Sequence, residues 1–114
     1  MTLDSGDRIF FNITPSGMTL QVISHDNLKE DDEALEMKGD CDTVQLNGSN
    51  VARLLYWLTS GSYGSVDRVW VETDRGKLEK VVKLETDDNV VTMTEYERDM
   101  FVSAIKSQAW RLFQ

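Results

Sequence analysis

Residues 8–13 alternate in the manner of a half-buried strand, with Ile9, Phe11 and Ile13 on one side and Arg8, Phe10 and Asn12 on the other. Pro15-Ser16-Gly17 supplies turn chemistry, after which Met18, Leu20 and Val22 resume the alternation. The pattern returns in the second half. Val69 and Val71 oppose Arg68, Trp70 and Glu72, Asp74-Arg75-Gly76 reads as a turn, and Leu78, Val82 and Leu84 follow. Val44 with Leu46, and Val90 through Met93, form two further short strands, each directly ahead of a helical pattern.

The first helix is predicted near 49–60, where Val51, Leu54, Leu55 and Leu58 make one apolar stripe at i, i+3, i+4, i+7 and Gly61 stands ready as the stop. A second is predicted near 95–112. Thr94 and Glu97 have the spacing of a capping box, in which hydroxyl and carboxylate each satisfy a free backbone N–H. Phe101, Ala104, Ile105, Gln108 and Leu112 form its stripe, with Trp110 and Phe113 widening it. The burial expected is of Leu54, Leu58, Phe101 and Ile105.

The halves resemble each other. A slide of 60 residues lays Asp7-Arg8-Ile9-Phe10-Phe11 on Asp67-Arg68-Val69-Trp70-Val71 and continues ungapped, Met18 on Leu78 and Val22 on Val82. A slide of 47 lays Asp42–Asn47 on Asn89–Thr94 and carries Leu54, Leu55 and Leu58 onto Phe101, Val102 and Ile105. Few pairs are identities, so the likeness is one of pattern. The expectation is one α+β domain spanning 1–114, an antiparallel sheet with two helices, arranged as two β-β-β-α pseudo-repeats at about 7–60 and 67–113.

At 114 residues the chain has the size of one domain, and 40% apolar with 28% charged residues is the composition of an ordinary globular protein. Charge changes the picture more. Twelve basic against twenty acidic residues give −8, which repels phosphate and argues against a duplex nucleic-acid partner. One cysteine (Cys41) forms no internal disulfide, and with one histidine (His25) builds no thiolate or imidazole zinc site. Asp40 and Asp42 flank Cys41, disfavouring a thiolate there. Asp40-Cys41-Asp42 lacks the spacing of a calcium loop, and no glycine-rich phosphate loop occurs. His25, placed at a strand end beside Asp26, lacks a nucleophile elbow, since strand neighbours point to opposite faces. The reading is therefore no enzyme, no metal and no cofactor. The first residues carry no basic patch or apolar core of a leader, and no apolar run reaches membrane-spanning length, so a cytoplasmic, non-membrane setting is expected.

Two surfaces stand out. Between His25 and Asp42 the first half outgrows the second, and residues 26–40 carry Asp26, Glu30, Asp31, Asp32, Glu33, Glu36 and Asp40 against Lys29 and Lys38. This acidic insertion is read as either a solvated loop or a short acidic helix with Leu28 and Leu35 inward. A dense carboxylate array steers association with a basic surface, the behaviour of inhibitors and nucleic-acid mimics, phage-borne ones included. A solubility role is the plainer reading of the same residues. The second surface is the sheet face holding Arg8, Phe10, Arg68 and Trp70, where outward aromatics beside arginines either stack on single-stranded nucleic acid or are covered by packing. With these residues and its order of elements, the chain is similar in outline to the whirly single-strand-binding proteins. That resemblance implies binding across sheet surfaces, but Lys38–Asp42 and Thr86–Asn89 stand where that family carries a basic loop. The expected function is a non-catalytic protein-interaction module meeting a basic partner protein, with single-stranded nucleic-acid binding as the alternative. A homodimer is compatible with either.

Overall fold

The computed structural model describes residues 1–30, 35–37, 42–61, 63–74 and 81–113. The alternating segments are strands: β1 (Arg8–Thr14) and β2 (Gly17–Ile23) pair antiparallel, and β2 pairs in turn with β5 (Asp42–Leu46) in a three-stranded sheet. Between β2 and β5 lie a short 3-10 turn (His25–Asn27) and a two-stranded sheet of β3 (Leu28–Glu30) and β4 (Leu35–Met37). A four-stranded antiparallel sheet follows α1 (Gly48–Ser60), in the order β6 (Gly64–Val66), β7 (Val69–Asp74), β8 (Val81–Glu85) and β9 (Val90–Thr94). The chain then enters α2 (Glu95–Gln108), which ends in a 3-10 turn over Ala109–Phe113. This is an α+β fold, as the periodicities require.

The strand registers correct the ungapped slide. Ile13 pairs with Met18 and Met18 with Leu46, while Thr73 pairs with Val82 and Val82 with Met93. The position matching Met18 is therefore Val82, not Leu78, and the offset of 60 along β1 and β7 becomes 64 along β2 and β8. The connection makes the difference: residues 15–16 join β1 to β2, and residues 75–80, outside the described residues, join β7 to β8. The offset of 47 holds through the third strand into the helix caps, Asn47 and Thr94. β6 has no counterpart in the sequence reading, because three residues are too few to display a period of two.

Both helices begin where expected. The Asn47 side chain accepts the Asn50 N–H, and Gly61 closes α1 in the left-handed region at φ 72°. The Thr94–Glu97 capping box is present in both directions, at 3.1 and 3.0 Å. Thr94→Ala should lower unfolding free energy by roughly 1 kcal/mol, checked by urea denaturation. α1 packs on β2 and β5 of one sheet and β6 and β7 of the other, so one hydrophobic core runs through both. Leu54, Leu58, Phe101 and Ile105 are buried as expected. Trp110 is not: it is 56% exposed, with the Arg111 guanidinium 5.6 Å from its ring centroid. Regular helix stops at Gln108, and in the 3-10 turn that follows Leu112 still packs against the core while Trp110 turns outward.

Candidate functional site

Where it is described, the acidic insertion is the end of a 3-10 turn followed by two short strands, rather than an irregular loop or an α-helix. β3 and β4 form an antiparallel hairpin with Leu28 paired to Met37, Lys29 to Glu36 and Glu30 to Leu35. Charge spacing explains the choice. A helix over this segment would set Asp26 near Glu30, Glu30 near Glu33 and Asp32 near Glu36, like charges at i+3 and i+4 that oppose helix formation. The hairpin register sets position 29 across from position 36. Asp31, Asp32, Glu33 and Asp40 lie outside the described residues, and so does Cys41. Asp26, at the base of the hairpin, has an 82% exposed side chain.

The four residues of the second surface are spread over different elements. Phe10, 42% exposed, lies on the outer face of the first sheet in a row with Gln21 and Thr43. Half-buried Trp70 belongs to the other sheet, in a row with Ser65, Glu85 and Val90. Arg68 is not on the strand as read but in the tight Asp67-Arg68 connection between β6 and β7, where its guanidinium reaches Asp87 at 3.4 Å. Arg8 holds a buried Nε without a hydrogen-bond partner. No hydrogen bond, ion pair or ring contact joins any two of these four, among the described residues.

A third constellation emerges only in three dimensions. Asp7, with a side chain 2% exposed, accepts the backbone N–H of His25 and the imidazole Nδ1 on one oxygen, at 2.8 and 2.6 Å. Its other oxygen takes the Thr92 N–H at 2.9 Å and the Ser5 hydroxyl at 2.9 Å. Thr92 lies on β9, an edge of the four-stranded sheet, so Asp7 ties the entry to β1 against that edge. Alongside, buried Asn89 accepts the Ser24 N–H at 2.8 Å and the Asn27 side-chain amide at 2.8 Å. Asp42 gathers the Thr86 hydroxyl, the Asp88 N–H at 2.9 Å and the Asn89 amide at 3.0 Å. Ser5, Asp7, His25, Asn27, Asp88 and Thr92 contribute to the walls of a cleft of about 420 Å³.

No family profile, no curated protein and no solved structure matches this chain. A serine, a histidine and an aspartate do meet, but not in triad order, since Ser5 bonds the carboxylate rather than the imidazole. His25 Nε2 instead faces Asp26 Oδ1 at 3.2 Å. The two neighbours meet because they sit in a 3-10 turn; on the strand end that the sequence predicts, they would diverge. No group of three or more metal-ligating side chains occurs among the described residues, and none of their helices is long and apolar enough to cross a membrane.

Electrostatics follow from these partners. Burial pushes the Asp7 carboxyl up, but the hydrogen bonds from His25, Thr92 and Ser5 outweigh it and hold the group below 3.8. Asp42 is likewise pushed up by burial and held lower by Asn89, Thr86 and the Asp88 N–H, with help from the Arg68 charge. His25 is raised above 6.5, chiefly by its hydrogen bond to Asp7, then by the Asp7 and Asp26 charges. A raised histidine stabilises the fold fully below 6.5 and less as pH climbs through its folded value; lowered carboxylates stabilise fully above 3.8 and less as pH falls through theirs. Urea midpoints should therefore be highest between these two values and decline on either side, and the alkaline decline should vanish in His25→Gln.

Proposed function

We propose that the protein is a non-catalytic interaction module, an inhibitor or nucleic-acid mimic in kind, whose acidic segment 26–40 meets a basic surface of a partner protein in the cytoplasm. The observation that carries this reading is the sheet order. β2 pairs directly with β5, so the segment between them leaves the scaffold and returns as a separate two-stranded sheet, with no ladder to either larger sheet among the described residues. Such an element can hold carboxylates toward a partner without any of the core rearranging. Opposite charge then speeds encounter and orients docking, more than it deepens the final affinity.

The test compares the parent with a variant carrying Glu30→Ser, Asp31→Asn, Asp32→Asn and Glu33→Gln. Basic proteins retained from a lysate by the parent are purified, and their association rates are measured across a salt series. The variant should keep its stability, since surface substitutions usually shift it by under about 0.5 kcal/mol each. Its association at low salt should be roughly tenfold slower, with the salt dependence flattened. Equal rates and equal salt dependence would reduce the segment to a solubility feature. A low-salt electrophoretic shift with single-stranded oligonucleotides addresses the alternative, and a shift abolished by Trp70→Ala would move the function to the aromatic faces.

A further inference from the structure

We propose that His25 is a pH-sensitive pin at the base of the acidic hairpin: its imidazolium ties exposed Asp26 to buried Asp7, and losing its proton frees the Asp26 end while the Asp7 end stays made. The inference rests on the reading of the hairpin as the contact element and adds its regulation.

The geometry is specific. The two ring nitrogens face two different carboxylates, Nδ1 on Asp7 at 2.6 Å and Nε2 beside Asp26 at 3.2 Å. One carboxylate is 2% exposed and belongs to the segment that locks β9; the other is 82% exposed and lies two residues before β3 begins. A third carboxylate, Asp88 from the β8–β9 connection, lines the same cleft. Asp7 from the N-terminal segment, Asp26 from its own turn and Asp88 from the opposite sheet are the carboxylates that share the cleft with the ring, among the described residues.

An imidazolium donates from both nitrogens, whereas a neutral imidazole keeps one N–H and presents a lone pair at the other. The remaining proton belongs on Nδ1, because a buried carboxylate deprived of a donor is costly whereas a solvated one is not. Nε2 then turns a lone pair toward the Asp26 oxygen, and attraction becomes repulsion. The bonds from His25 N–H to Asp7 and from Asn27 to Ser24 and Asn89 do not depend on the ring, so the turn stays anchored on both sides of Asp26 and the release is confined to Asp26 and the backbone beside it, where the hairpin starts. Since Asp7 and Asp26 both favour the charged ring, the release lies on the alkaline side of 6.5.

The chain has one histidine, so its ring resonances are unambiguous by NMR. In the free protein, the ring should titrate above 6.5, and the backbone amides of Asp26, Asn27 and Leu28 should shift with the same midpoint. The Thr92 amide, held by Asp7, should stay in place. Asp26→Asn should lower the ring midpoint and uncouple the three amides, and His25→Gln should abolish their pH dependence in this range. A ring midpoint at or below 6.5, amides of 26–28 that ignore it, or a Thr92 amide moving with them would each overturn the pin. No partner is involved, so these outcomes are independent of the salt test on the contact element.

Discussion

Truncating Phe101 to alanine is expected to remove about 3–5 kcal/mol of stability, the usual cost of emptying a buried phenylalanine site. The ring is 1% exposed and meets Phe11 edge-on, with centroids 5.8 Å apart and planes inclined by 70°. It thereby joins α2 to β1, elements at opposite ends of the chain, and no neighbouring backbone can close over the void without moving one of them. Against a typical domain stability of about 5–15 kcal/mol, such a loss is a third or more of the total. Urea denaturation followed by tryptophan fluorescence measures it directly. A loss under about 1 kcal/mol would mean that the site collapses freely or that the ring is not core, contrary to the packing described here.

A comparable loss is expected from Gly17→Ala, by a different route. Gly17 has φ +138°, a conformation that side chains rarely adopt, and a Cβ there would lie 2.0 Å from the Leu46 carbonyl oxygen. That carbonyl cannot retreat cheaply: Leu46 pairs with Met18, and the next residue, Asn47, caps α1. Backbone strain of about 1–3 kcal/mol adds to overpacking of similar size, for roughly 2–6 kcal/mol together. Gly48→Ala is the control. Nothing lies within 4 Å of a Cβ at that position, the first of α1, so the change should be neutral or stabilising by up to about 1 kcal/mol. Equal effects at the two glycines would show that the close approach of β2 to the β5–α1 junction is absent in solution.

The helices were legible because each carries its evidence within a few residues: a stripe of Leu54 and Leu58 or Phe101 and Ile105, the Gly61 stop of the first and the Thr94 capping box of the second. The long strands were legible for the same reason. β3, β4 and β6 are three residues each and were missed, since an alternation needs more positions than that to stand out from a charged or glycine-containing segment. The acidic segment was recognised by charge alone, and its hairpin form follows from a pairing that charge counting does not reveal.

Sequence by itself determined the period of each long element, the capping box that starts the second helix, the buried identities of Leu54, Leu58, Phe101 and Ile105, and the concentration of carboxylates in one segment. Tertiary structure alone decided that the strands divide into sheets of three and four, that Phe10 and Trp70 fall on different ones, that Asp7 meets His25 and that Asp42 meets Asn89. The physical reason is separation along the chain. A stripe or a cap is a contact between near neighbours, written in their spacing, whereas Ser24 meets Asn89 across 65 positions and Asp7 meets Thr92 across 85. An aspartate ahead of a strand looks the same in sequence whether it faces water or accepts four hydrogen bonds. Only the sheet edge that arrives beside Asp7, with an N–H it cannot satisfy alone, selects between them.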